Sequence, residues 1–251
     1  MKMSNYIAQG TLDVPADAIP YLLQQRTSLQ WFANSWLYMK FWRWIPRWLS
    51  RAVISAEARL RRRSICAGYS SQLSGEYLQL APHIPDRVKL VLDIGCGVGG
   101  LDAFLAADSR LSEARFVLLD KSMQQAVVHY GFQDVGAYYN SLQAAEQLLV
   151  RNGVSKERIG LLEAEDSRKI KLQEPVNLVI SLLSWGFHYP VAYYLPEVSR
   201  ILAEDGAIVL DVRKGSDGIA VLTDAIGPCS IIASDDKADR VICRRVGNVA
   251  A

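Results

Sequence analysis

"VLDIGCGVGG", residues 91–100, is the stretch on which the reading of this 251-residue chain turns. An apolar run carrying a single acid, Asp93, opens into Gly95, Gly97, Gly99 and Gly100, and "LDAFLAA" then takes up a helical pattern. A glycine-rich turn between a strand and a helix lets the backbone approach a ligand closely, and the helix N-terminus behind it favours negative charge. In an open α/β sheet such a turn lies at the carboxyl edge of the strands, where ligands bind.

The surrounding sequence supplies that sheet. The runs 89–95, 114–120, 158–164, 176–183 and 206–213 read as buried parallel strands. Helical patterns at 100–108, 139–152 and 192–203 lie between them. Regular alternation of strand and helix implies right-handed crossovers and a doubly wound α/β fold. Two strand-like runs around "SDDKAD" form an expected closing hairpin. Residues 16–80 carry helical patterns only, with Pro46 expected to divide them. The chain is therefore read as an N-terminal helical, basic, Trp-rich extension, 1–67, on a core domain, 68–251.

Taken literally, Gly95, Gly97 and Gly100 satisfy GxGxxG, the dinucleotide fingerprint. Other features favour a different ligand. Asp93 stands where a nicotinamide-binding loop keeps an apolar residue, and a carboxylate there suits a ligand bearing an ammonium group. Asp120, ending the second strand, is placed to accept hydrogen bonds from ribose hydroxyls. Glu163, Glu165 and Asp166 follow the third strand and can accept from an adenine amino group.

These motifs resemble those of the class I S-adenosylmethionine-dependent methyltransferases. "VLDIGCGVGG" is similar to their first motif and "FVLLDKS" to the acidic end of their second strand. "VNLVISLLSWGFHYP" resembles their fourth strand and the loop after it, and "ILAEDGAIVLDVR" their fifth strand, with Asp205-Gly206 where a glycine pair is usual. The resemblance spans roughly residues 68–247. It implies a mostly parallel seven-stranded Rossmann-like sheet with S-adenosyl-L-methionine as cofactor. Asp93, Gly95, Gly97 and Gly99 would hold its methionine end, Asp120 its ribose, and Asp166 or Glu165 its adenine.

His188, in the loop after the fourth strand, would lie beside the transferred methyl group and is the candidate general base. The competing reading is a histidine stacked among Trp185, Phe187 and Tyr189. Methyl transfer from a sulfonium is favourable enough that positioning alone can suffice. Tyr130, Phe132, Tyr138 and Tyr139 are candidates for a lid, and His83 and His129 are weaker candidates for a base. The loops are also similar to those of bacterial sugar O-methyltransferases, which implies a small-molecule or glycan acceptor and a place in polysaccharide biosynthesis. An N-methyltransferase or protein methyltransferase is the nearest alternative, although the loop lacks the [DNS]PPY motif of planar-nitrogen methylation. A scaffold carrying a non-catalytic methyltransferase domain, and a nicotinamide oxidoreductase, are the readings of other classes.

The net charge of +2 is uneven: residues 18–75 hold nine Arg and Lys against one acid, Glu57, a net of +8 that leaves −6 elsewhere. Residues 29–51 contain five of the six tryptophans together with Lys40, Arg43, Arg47 and Arg51. On a helical wheel those four cations fall within about 80° of one another. An amphipathic helix of this kind suits an anionic membrane surface, so the chain is expected to be cytoplasmic and peripheral on the inner face of the membrane. Capping of the active site or a homo-oligomer contact explains the same residues equally well. Nucleic acid, through Arg61, Arg62 and Arg63, ranks below both. No apolar core of a secretory leader is seen, and no run of about 18 uncharged apolar residues that would span a bilayer. The four cysteines, Cys66, Cys96, Cys229 and Cys243, are widely spaced without a CxxC pair, so neither a disulfide nor a metal site is expected and a reducing compartment is.

Overall fold

The computed structural model describes residues 10–31, 47–122 and 140–245. A seven-stranded sheet is built from β1 (Leu90–Ile94), β2 (Arg115–Asp120), β3 (Ile159–Glu163), β4 (Val176–Ser181), β5 (Leu202–Arg213), β6 (Cys229–Ser234) and β7 (Ala238–Arg244). Its order is β3-β2-β1-β4-β5-β7-β6. Strands β1 to β5 pair in parallel, and β7 runs antiparallel to both β5 and β6. The five expected parallel strands and the closing hairpin are all present. The chain reverses its direction of winding between β1 and β4, which makes the carboxyl end of β1 the switch point where such sheets bind ligands.

The helices are α1 (Ile19–Gln25), α2 (Arg47–Leu60), α3 (Arg62–Leu80), α4 (Gly100–Ala107), α5 (Leu142–Arg151), α6 (Leu195–Ile201) and α7 (Gly218–Ala225). Strand residues alternate between two apolar layers, as the pleat requires. Val91, Phe116, Leu118, Leu178 and Ile180 face α1 to α5, whereas Leu92, Ile94, Val117, Leu119 and Val179 pack with α6, α7 and Trp185. Helix α7 has no counterpart in the sequence reading.

The expected boundary at 67/68 falls inside α3, and the residues before it do not form a separate layer. Leu12, Val14, Ile19, Leu22, Leu23, Ile54 and Ala58 join the same buried cluster as Val91 and Leu118. Apolar residues on α1 and α2 are too few to close a core of their own, so they complete one face of the sheet.

Cys229 and Cys243 form a disulfide, which corrects the expectation of free thiols. Fourteen residues apart in sequence, they stand directly opposite each other in the β6–β7 ladder. Cross-strand register brings them together, and no spacing rule for short motifs detects that. The argument from cysteine usage to a reducing compartment loses its footing with it.

Among the described residues no helix is long and apolar enough to cross a membrane, and no group of three or more His, Cys, Asp or Glu is arranged to hold a metal ion. Most of the Trp-rich stretch, including Pro46, lies outside the described residues. So do His129 and the candidate lid residues Tyr130, Phe132, Tyr138 and Tyr139.

Candidate active site

The turn after β1 is tied to the end of β2. Gly95 N donates to Leu119 O at 2.7 Å. One residue further along β2, the Asp120 carboxylate accepts from Gly97 N at 2.9 Å and from Lys121 N at 2.7 Å. The nearby Asn140 side chain, like the two backbone amides, favours the charged form of this carboxylate. Burial nevertheless dominates and raises Asp120 to about 6.

Gly95, Gly97 and Gly99 adopt φ of 78°, 58° and 72°. Two of them also meet neighbours from distant parts of the chain. A Cβ on Gly95 would lie 2.2 Å from Ser184 Oγ, in the loop after β4, and one on Gly97 would lie 2.7 Å from Gln25 Oε1 at the end of α1. Left-handed backbone and close approach together demand glycine at both positions. Gly99 faces Leu149 and Ala145 of α5, so its missing side chain serves helix packing rather than the cleft.

Alternation along β1 puts Asp93 on the same face as Val91, beneath α3 and α4. The carboxyl is 5% exposed and is held well above the usual carboxylate range by burial, then by Asp102, Asp120 and Glu76. Asp102, in the first turn of α4, is wholly buried and raised to about 6 by the same desolvation. Above this cluster Arg26 makes a bidentate pair with Glu76 of α3, at 2.6 and 2.9 Å. That pair locks the end of α1, and with it Gln25, over the glycine turn. The Tyr69 hydroxyl and Leu73 of α3 press on Gly100.

The acids expected to meet adenine lie beyond the end of β3. Glu163 pairs with Asp120 in the ladder and accepts from Ser122 N at 2.6 Å. Glu165 is exposed and paired with Lys171, and Asp166 is exposed and 3.0 Å from Lys121 Nζ. Both therefore flank Asp120 on the carboxyl edge, at the surface. His188 occupies the loop whose Ser184 abuts Gly95; its own amide donates to Ser184 O at 2.8 Å. The imidazole stacks edge-on against Phe187, with centroids 5.0 Å apart, rather than among all three aromatics. Partial burial and then the Arg213 guanidinium lower its pKa below 6.5, so it is neutral at pH 7. Trp185 is fully buried, with its indole N–H on Val191 O at 2.7 Å, a structural role. His83 lies in the turn after α3, and its carbonyl accepts from Arg244 at the far end of β7.

The groups gathered here are mostly acids around a backbone cradle: Asp93 and Asp102 buried, Asp120 at the strand end, Glu163 beside it. That donor set fits a ligand carrying a sulfonium, an ammonium and ribose hydroxyls, as S-adenosylmethionine does. Sequence reasoning missed Gln25, Arg26, Tyr69, Glu76, Asp102, Asn140 and Ser184. Each is an ordinary polar residue in a helical or loop pattern, and all but Asp102 lack a local signal. Asp102 alone sits within the glycine motif's own helix, where an acid in an otherwise apolar run was a visible cue.

No protein-family profile matches the chain, and no curated protein matches its sequence. Solved structures do. A candidate O-methyltransferase from Nostoc punctiforme superposes with a TM-score of 0.51 at 14% identity, over 71% of this chain and 58% of that one. The mitomycin 7-O-methyltransferase MmcR gives 0.50 at 15% identity, over 76% and 57%. An O-methyltransferase family protein from Burkholderia thailandensis gives 0.50 at 12%, over 76% and 63%. The chain thus spans less than two thirds of the length of these three. At such identities the likeness concerns the fold alone: these methyltransferases share the mostly parallel, Rossmann-like seven-stranded architecture described above.

Proposed function

We propose that this chain transfers a methyl group from S-adenosylmethionine to an oxygen of a small molecule or sugar. One observation carries the reading: at the switch point of the sheet, the glycine turn and Asp120 are joined by the Gly97–Asp120 hydrogen bond, with the Asp93 carboxyl buried beside them. When bound, the cofactor supplies an electrophilic methyl on a sulfonium. Asp93 would face its ammonium and Asp120 its ribose hydroxyls, on either side of the glycine turn. Glu165 and Asp166 are the acids nearest in sequence to the adenine position, and each would have to exchange a lysine for the adenine amino group.

His188 is neutral at pH 7 and able to take the proton of an acceptor hydroxyl. The loop "SWGFHYP" carries no [DNS]PPY motif, and the three structures above bear O-methyltransferase names, which supports oxygen as the acceptor atom. Calorimetry with S-adenosylmethionine and its demethylated product tests the reading directly. Micromolar binding of at least one is expected, and binding of neither overturns it.

A specific observation favours an acceptor presented at an anionic lipid surface. On α2, Leu49, Ala52, Ala56 and Leu60 form an exposed apolar stripe, with Leu60 81% exposed. Trp31, 66% exposed under the Arg61 guanidinium, and exposed Arg59, Arg62 and Arg63 lie in the same basic segment. Apolar side chains among cations at a surface are the composition of interfacial helices. Cosedimentation with phosphatidylglycerol vesicles, weakened by salt and by Arg59→Glu with Arg63→Glu, is the expected result. Equal partition onto phosphatidylcholine, or onto neither, excludes it. Deleting residues 1–66 would be a poor probe, because Leu12 to Leu23 belong to the core.

A further inference from the structure

Among the described residues, Asp102 is a buried carboxyl with both oxygens unpaired: it is wholly inaccessible, and neither oxygen has a hydrogen-bond donor. An isolated carboxylate in such a place is very costly. Its carboxyl lies within hydrogen-bonding reach of Asp93, whose own side chain is almost as deeply buried. Two carboxyls cannot hydrogen-bond each other as two anions; the contact requires a proton between them.

The remaining charges do not remove that need. On α3, Glu76 is neutralised by Arg26 in the bidentate pair, and the Tyr69 phenol, pushed up by burial, stays neutral. On β2, Asp120 adds a further negative charge, and in the glycine turn burial holds the Cys96 thiol protonated. Among the described residues, no cation therefore addresses Asp93 or Asp102 directly.

We infer that Asp102 is a positioning residue for Asp93: the two carboxyls share one proton, and Asp102 holds that proton and donates it as a hydrogen bond when a cationic group of the cofactor docks on Asp93. This rests on the reading of the cleft as an S-adenosylmethionine site. Before docking, the proton lies between the two oxygens and the pair carries a single negative charge. When an ammonium approaches Asp93, the proton settles on Asp102, Asp93 becomes the full carboxylate, and the pair's total charge is unchanged. Asp102 thereby spares the site a second buried anion and aims the Asp93 carboxylate from behind. Desolvation and mutual repulsion both favour retention of this proton, in keeping with the raised pKa of both groups.

The test compares the full-length protein with Asp102→Asn and Asp102→Leu. Asparagine can donate the same hydrogen bond without a proton to share; leucine cannot donate at all. At pH 7.5 Asp120 is ionised, so infrared spectroscopy of the ligand-free wild type should show a neutral-carboxyl band, and Asp102→Asn should shift its frequency, because the proton then bonds to an amide oxygen instead of a second carboxylate. Calorimetry with S-adenosylmethionine and S-adenosylhomocysteine should give Asp102→Asn an affinity within about threefold of wild type. Asp102→Leu should lose roughly tenfold or more, the scale of one charge-assisted hydrogen bond. Absence of the band in wild type, an unshifted band in Asp102→Asn, or wild-type affinity in a folded Asp102→Leu each overturns the inference. If the wild type binds neither compound, the methyltransferase reading and the docking role fall together, while the infrared band still decides whether the carboxyls share a proton.

Discussion

Asp120 at the end of β2 accepts a hydrogen bond from Gly97 N, 2.9 Å away in the turn that follows β1. The two strands are neighbours in register, so this bond holds the glycine turn at a set height above the sheet edge. Asp120→Asn presents an amide nitrogen to one of two backbone donors, Gly97 N or Lys121 N. The expected result is a roughly 10- to 100-fold weaker binding of S-adenosylhomocysteine by calorimetry, since bonds to a charged acceptor are worth about 1.5–3 kcal/mol.

Gly95→Ala should be worse for the cleft than for the fold. Its φ of 78° and the Ser184 side chain at 2.2 Å from the new Cβ both oppose it. A cost of about 1–3 kcal/mol is expected from the backbone alone. Pairing the change with Ser184→Gly should recover part of the lost thermal stability, because that removes the contact and leaves the strain. Unfolding temperatures of the single and double variants check this.

Breaking the Arg26–Glu76 pair should loosen the roof of the site. Glu76→Ala leaves a largely buried guanidinium without its carboxylate, at a cost of roughly 3–5 kcal/mol for a well-buried pair and less where water reaches it. Gln25 rides on the same turn of chain, so cofactor affinity should fall together with stability. Denaturant unfolding and calorimetry on one sample distinguish this from a purely global effect.

The ligand-free protein should be more stable at mildly acid pH than at neutral pH. Asp102 and Asp120 are raised to about 6, above their values in an unfolded chain, so the folded state binds more protons between roughly pH 4 and pH 6. Stability is lost as pH rises through that window. Asp108, lowered to about 2 chiefly by its hydrogen bonds from Arg110, works in the opposite sense, but its contribution is complete by about pH 5. The unfolding temperature should therefore decline from pH 5 to pH 7.5, and less steeply in Asp102→Asn.

Reduction should destabilise the β6–β7 edge. Closing a loop of this length contributes about 3 kcal/mol in the chain-entropy account. Dithiothreitol should lower the unfolding temperature and add two alkylatable thiols by mass spectrometry, beyond Cys66 and Cys96. Cys229→Ser should match the reduced protein and no longer respond to reductant.

Much of this molecule was legible in its sequence because the signals are local. Buried parallel strands are short unbroken apolar runs, and a strand–glycine turn–helix needs only consecutive residues, so the apolar runs implied the sheet and 91–100 marked the turn at its carboxyl edge. The end of a strand is likewise a local feature, which is why Asp120 could be picked out. Glu165 and Asp166 were harder, because residues past a strand end obey no period. What only the tertiary structure decided is everything that depends on two distant segments meeting. Cys229 finds Cys243 through hairpin register. Arg26 finds Glu76 across a helix packing contact that also merges the N-terminal segment into the core. Asp102 acquires its meaning from Asp93 only because the strand pleat and the helix after the turn aim both carboxyls into the same dry space. Periodicity records which face a residue takes; it holds no record of what waits on the other side.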